Sequence, residues 1–421
     1  MLSQNTLNIV DTLMVGQLGD SALAAVGISS FANFFCSAFV MGISTSVQAT
    51  VSRRMGEGEE GSAAVPLNGG LLIAWLVGLP LTFLLLECGP YGVPLLVSDP
   101  EVAAIATPYL KTRFCGLIPL AMAFSFRGYW NGVGLTKIYF RTIVIMHLFN
   151  ALMNYVLIFG HFGAPALGAT GAGLASTLAL WLGSVLYAGQ AFVLSRKNGF
   201  LRRLPTLSQL IRLVRLAIPT GVQQTSFAGG MMVFFAIVAR VGTTELAASN
   251  VLVNLLLVVI LPSIGFGLAS ATLVGQALGR GDLDGARDWA NDVIRVALVL
   301  MVCLGLLGAL APEVLLRPFL RSAETLQVAI APLRFIAIGL PIDAIGLILM
   351  HSMLGAGHAR RMMYISVGLQ WGLQLPLIYV VALVFHQNLA VIWGVYFAYR
   401  AVLTAVLFWE WRARRWQRAQ V

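Results

Sequence analysis

The chain contains one unit twice. The segment Val15–Ala25, VGQLGDSALAA, recurs as Val238–Ala248, VARVGTTELAA, at an offset of 223 residues. The same offset carries Gly42 onto Gly265, Gly56 onto Gly279, Gly58 onto Gly281, Gly132 onto Gly355, Gly134 onto Gly357 and Gly171 onto Gly394. A fold with this register is two copies of one structural unit, each strongly apolar. If each copy crosses a membrane an even number of times, both enter it from the same side and the repeat is parallel.

Composition fixes the class. Of 421 residues, 58% are hydrophobic and 10% charged, with a mean hydropathy of +0.85, which excludes a water-soluble domain of this length. The apolar runs are long and continuous, unlike the short alternating segments of a β-barrel. No signal-peptide pattern is present. Cys36, Cys88, Cys115 and Cys303 are scattered and form no CxxC pair, so neither a disulfide nor a metal site is expected.

Glycine, proline and charge punctuation divide the chain into apolar segments at 1–16, 23–52, 67–87, 104–130, 138–160 and 168–194. They continue at 208–239, 246–277, 289–311, 326–355, 361–386 and 391–411. The expectation is an all-α polytopic membrane protein of twelve spans in two six-helix lobes. The N-lobe is 1–194, the linker 195–207 and the C-lobe 208–421. The first span is expected to lack its inner end, a short, tilted or re-entrant helix being the alternative: 15 residues precede Gly16, about 22 Å of helix against a hydrocarbon core of about 30 Å. In the second copy the basic anchor Arg212 and Arg215 lies at the start of the equivalent span, and the offset of 223 places its counterparts before residue 1.

Charge asymmetry predicts the topology. Arg53, Arg54, Lys137, Arg141, Arg196, Lys197, Arg202, Arg203, Arg280, Arg287, Arg360 and Arg361 flank the loops between even and odd spans, whereas the opposite loops hold few cations. The positive-inside rule puts both termini and the linker in the cytoplasm, with the chain in the inner (plasma) membrane. The net charge of +10 is mostly this bias, so a nucleic-acid partner is not required.

Acids within spans are rare. A charge at mid-bilayer costs about 3 kcal/mol on insertion scales, so such a residue reads first as functional. Asp11 lies in the first span, about 7 Å below the outer surface. Asn150 and Asn154 share a helix face at i, i+4, about 15 and 9 Å deep, and Ser176 lies about 12 Å deep. A carboxylate, two carboxamides and a hydroxyl at matching depth suit a cation-coupling site. Ordinary helix–helix hydrogen bonding is the structural alternative.

In the second copy Asp343 follows Pro341 near mid-membrane as a lone carboxylate, with Gln223, Asn250 and Gln374 as possible oxygen donors and Met350 among several methionines suited to an adaptable cavity. Arg127, Arg295, Arg334 and Arg400 lie in or near spans as weaker candidates, and most of them can snorkel. The histidines show no ligand spacing. No GxxxxGK[ST] loop is present, so ATP does not drive the chain directly.

Several motifs match one family. Val10-Asp11-Thr12-Leu13-Met14-Val15-Gly16, Arg127–Lys137 ending in Gly132-Val133-Gly134-Leu135-Thr136-Lys137, Asn154-Tyr155-Val156-Leu157-Ile158-Phe159-Gly160, Phe162–Gly168 with Gly171-Ala172-Gly173, and Ile218-Pro219 resemble the multidrug and toxic compound extrusion (MATE) transporters over nearly the whole chain. The paired asparagines resemble the NorM-type branch.

The resemblance implies cation-coupled antiport of organic cations through a V-shaped cavity between two six-helix lobes. It places the family's first-span aspartate on Asp11, its polar pair on Asn150 and Asn154, its sixth-span hydroxyl on Ser176 and its tenth-span aspartate on Asp343. The seventh-span glutamate of sodium-coupled members would fall on Phe227 and the tenth-span tyrosine on Gly339, so the transported coupling ion is expected to be a proton before sodium.

The expected function is therefore export of small cationic or amphiphilic drugs by alternating access, by a monomer in a lipid bilayer, with no cofactor, no metal and no enzymatic activity. The alternatives are a flippase for lipid-linked sugars and, more distantly, an integral membrane transferase. A flippase would line its cavity with Arg or Lys, and the deep ionisable groups that stand out in the sequence are acidic. A transferase would cluster acids or histidines at a membrane face.

Overall fold

A computed structural model describes residues 11–97, 99–320 and 322–418, and the described residues are helical apart from short connections. Numbered by span, α1 is described over 11–16, α2 is Asp20–Gly56, α3 Val65–Leu96, and α4 the pair Pro100–Phe114 and Leu117–Gly132. Next come α5 Thr136–Phe159, α6 Gly168–Leu194, α7 Leu207–Val241, α8 Thr243–Gly279 and α9 Leu283–Leu310. The last three are α10 Ala323–Gly355, α11 Ala359–Val384 and α12 Leu389–Arg412. Among the described residues ten helices are long and apolar enough to cross a membrane. The broken α4 and the partly described α1 complete the expected twelve. The expected shortening of the first span falls on residues 1–10, outside the described residues.

Local chemistry sets the ends. Asp99 accepts from the Glu101 amide at 2.9 Å, Asp282 from Gly285 at 2.8 Å and Asn388 from Val391 at 3.1 Å, each satisfying an orphan donor at a helix start. Gly160 closes α5 in the left-handed region at φ 78°, which favours glycine. In α4 the helix stops after Phe114 and resumes at Leu117, with the Gly116 amide turned back to the Arg113 carbonyl at 2.9 Å. α2 tightens into a 3₁₀ turn at Phe39–Met41. α11 is interrupted by two π-helical turns, Gln370–Gln374 and Val380–Val384. Pro376 lies between them and cannot donate to the Gly372 carbonyl one turn back, which frees the backbone for the wider turn.

The chain forms two compact units. The first runs to Met55 and resumes over Glu59–Gly221; the second holds Gly56–Gly58 and Val222–Val421. The start of α7 therefore belongs with the first unit. A Cβ on Gly69 would reach the Leu213 side chain at 2.5 Å, and one on Gly42 the Gly221 amide at 2.7 Å.

Large aromatics fill the first unit: Phe126, Tyr129, Trp130, Tyr187 and Phe200 are fully buried. α5 and α6 approach so closely that a Cβ on Gly171 would strike the Leu157 carbonyl group. The second unit packs Phe234, Leu252, Leu340, Ile378 and Trp393. There a Cβ on Gly355 would meet the Ala271 backbone.

Candidate functional site

In the first unit α1, α5 and α6 bring the four expected polar residues together. The one-turn spacing of Asn150 and Asn154 puts both on the buried face of α5, and both are almost wholly inaccessible. The Asn154 amide nitrogen donates to Asp11 Oδ1. Asn150 is satisfied at both ends when its amide nitrogen faces Asp11 Oδ1 at 3.0 Å. Its oxygen then accepts from the backbone amide of Ser176 at 3.1 Å and the hydroxyl at 3.2 Å. One carboxylate oxygen thus receives two neutral amide donors, and the oxygen of Asn154 is buried without a donor. Arg113, just before the break in α4, lies within electrostatic range of Asp11. Charge patterning alone places Arg113 in an outer loop.

The second unit departs from expectation. Asp343 is not a lone carboxylate: Arg400 Nε of α12 donates to its Oδ1 at 2.7 Å, with side-chain exposures of 13% for Arg400 and 10% for Asp343. The pair faces a small cavity lined also by Leu256, Ile336, Gly339, Trp393, Tyr396 and Phe397.

The polar residues expected beside Asp343 do not gather there. Gln223 donates to the Met350 sulfur at 3.1 Å. Asn250 is exposed and bonded to its own helix at the Leu246 carbonyl, 3.0 Å away. The oxygens of Gln223 and Gln374 are buried without partners. The grouping of Asp343 with Gln223, Asn250, Gln374 and Met350 is therefore corrected to Asp343 with Arg400. The physical reason is that a guanidinium within reach gives a buried carboxylate a charge-assisted hydrogen bond, stronger than one from a neutral carboxamide.

Sequence reasoning also passes over Glu410, 3% exposed at the end of α12. It takes a bidentate bond from Arg361 at 2.6 and 2.7 Å and a third from Arg415 at 3.2 Å. An acid and an arginine both inside apolar spans are the available signal for Asp343 and Arg400, and grouping Arg400 with arginines of which most can snorkel hides it.

With this geometry in hand, comparison with known families is decisive. The model of the MatE family matches residues 1–156 and 219–380, most of the chain and both copies of the repeat. The chain belongs to the MatE family. This MatE protein is 30% identical over 346 residues to a "Probable multidrug resistance protein NorM" of Agrobacterium fabrum, covering 78% of this chain and 72% of that one. It is 25% identical to a protein of the same description from Brucella suis, covering 98% and 89%.

Among solved structures it matches a MOP superfamily transporter from Pyrococcus furiosus, described as having a binding pocket of reverse polarity, with TM-score 0.89 at 18% identity, covering 98% of this chain and 92% of that chain. A multidrug resistance MATE family transporter in an outward-facing conformation matches with TM-score 0.89 at 19% identity and the same coverages. These likenesses show the fold: a MatE protein of twelve helices in two lobes related by a parallel repeat. It is a multi-pass membrane protein of a transporter family.

Proposed function

We infer that this MatE protein is a cation-coupled antiporter that exports small cationic and amphiphilic drugs, with Asp11, Asn150, Asn154 and Ser176 as the coupling-cation site. It exposes the drug alternately to the two sides of the inner membrane and works as a monomer with both termini in the cytoplasm.

The observation that carries the reading is the hydrogen-bonded contact of Asp11 with the two buried carboxamides of α5. A carboxylate inside a span is costly unless its charge is balanced. Binding a proton or a small cation supplies that balance, and drug displacement of the cation couples the two fluxes. The unpartnered Asn154 oxygen supports the reading, because a protonated carboxyl offers the O–H donor that this acceptor lacks. The proton is preferred to sodium because the family resemblance puts the seventh-span glutamate and tenth-span tyrosine of sodium-coupled members on Phe227 and Gly339, which offer no side-chain oxygen for a second-lobe sodium site. The relatives' names, which speak of multidrug resistance, support the choice of drugs as cargo.

The test is efflux of a fluorescent organic cation from proteoliposomes under an imposed proton or sodium gradient. Asp11→Asn is expected to abolish gradient-driven efflux, by at least about tenfold, with unchanged yield of purified protein. Normal efflux by that variant would make Asp11 structural and overturn the reading. Transport driven by sodium alone would replace the proton with sodium.

A further inference from the structure

In the Asp343–Arg400 contact both side chains are nearly buried, whereas Arg295–Asp292, Arg317–Glu313, Arg361–Glu410 and Arg415–Glu410 each have at least one partner with side-chain exposure above 40%. The other ionisable groups in electrostatic range of Arg400 are Tyr396 and Tyr399 on its own helix. α8 presents Leu256 to the cavity, and α10 presents Ile336 and Gly339.

The repeat shows that this pair is not an inherited feature of both units. At the offset of 223, Arg400 corresponds to Thr177 and Asp343 to Leu120. Conversely Asp11 corresponds to Phe234, and Asn150 and Asn154 to Leu373 and Leu377. Each copy thus carries one deep carboxylate in a different place. The first is hydrogen-bonded by neutral amides, with Arg113 in electrostatic range. The second has a cation covalently attached to the same chain at bonding distance.

The geometry points to Arg400 as a tethered counter-cation: it occupies the cation position of Asp343, so the second unit exchanges no proton or metal cation during transport, and coupling rests on the Asp11 unit alone. This assignment rests on the antiport reading above and deepens it by fixing where the exchanged cation does not bind. The energetics agree. A buried carboxylate with a well-placed guanidinium is balanced internally, whereas removal of one partner leaves an uncompensated charge in the membrane. Without the guanidinium, Asp343 would be neutralised only by a proton or a solute cation, so Arg400 is also what keeps the second unit from acquiring its own cation site.

The experiment uses the purified full chain and tetraphenylphosphonium as the drug probe, reading protons released or radiosodium displaced on drug binding. The natural chain is expected to release cation, and Asp11→Asn to lose that release. Combining Asp11→Asn with Arg400→Gln should restore release, now from Asp343. Combining it with Arg400→Lys, which keeps a tethered charge, should not. The neutral pair Asp343→Asn with Arg400→Gln should fold and release cation as the natural chain does, which keeps the inference testable even if Arg400→Gln alone is unstable.

Halved release from that neutral pair would overturn the inference, as would release that survives Asp11→Asn but vanishes when the neutral pair is added. A silent Asp11→Asn, Arg400→Gln protein that still binds the probe would also overturn it. Release unaffected by Asp11→Asn, and equally unaffected by the neutral pair, would sink the Asp11 reading and with it the assignment of coupling to that unit, while supporting Arg400 as the tethered counter-cation of Asp343.

Discussion

At the scale of single residues, the two deep aspartates teach opposite lessons about what a sequence reveals. Asp11, Asn150, Asn154 and Ser176 were legible because helix rise from Gly16, Gly160 and Gly168 sets their depth and one-turn spacing sets the shared face of the asparagines; the structure brings all four together. Arg400 was not legible because its partner is 57 residues away on another helix, and nothing in the spacing within α12 says which neighbour it meets.

The pair has a measurable signature. Asp343→Asn alone leaves a buried guanidinium without its counter-charge and is expected to cost about 3–5 kcal/mol. Asp343→Asn with Arg400→Gln should recover most of that loss, a coupling visible in a double-mutant cycle of unfolding in detergent. Simple additivity of the two single substitutions would show that the contact contributes little.

At the scale of elements, repeat symmetry and packing part company at particular glycines. Gly171 and Gly394 are equivalent in the repeat, yet a Cβ on Gly171 would strike the Leu157 carbonyl group, whereas one on Gly394 would find its nearest neighbour, Phe335, at 4.0 Å. Gly171→Ala is therefore expected to destabilise by about 1–3 kcal/mol through overpacking, while Gly394→Ala should leave the melting temperature of the purified protein nearly unchanged. Equal melting shifts for the two would contradict the close approach of α5 and α6.

Hydropathy showed the helices and their approximate lengths, but it was blind to the break in α4 at Cys115–Gly116 and the two π-helical turns of α11. Those depend on backbone bonding, which leaves little trace in hydrophobic content.

At the scale of the whole molecule, duplication sets the architecture and divergence assigns the tasks: the same twelve-helix frame carries an amide-lined carboxylate in one unit and an arginine-paired one in the other. Charge bias predicts the orientation of that frame. After replacement of the four native cysteines, a cysteine at Asn198, in the linker, should react with a membrane-impermeant maleimide only from the cytoplasmic side. One at Gln387, between α11 and α12, should react only from outside. Labelling of both from one face would reject the parallel arrangement of crossings.

The carboxylate of Glu410 adds a mechanical consequence. Because Arg361 grips it from α11 and Arg415 from the turn beyond α12, with Trp416 stacked on Trp411 at 4.3 Å, that turn is bolted to two helices at once. A spin label or fluorophore placed on it would not tumble as a loose tail. It would act as a pointer whose swing reports the tilt of α11 and α12 moving as one piece.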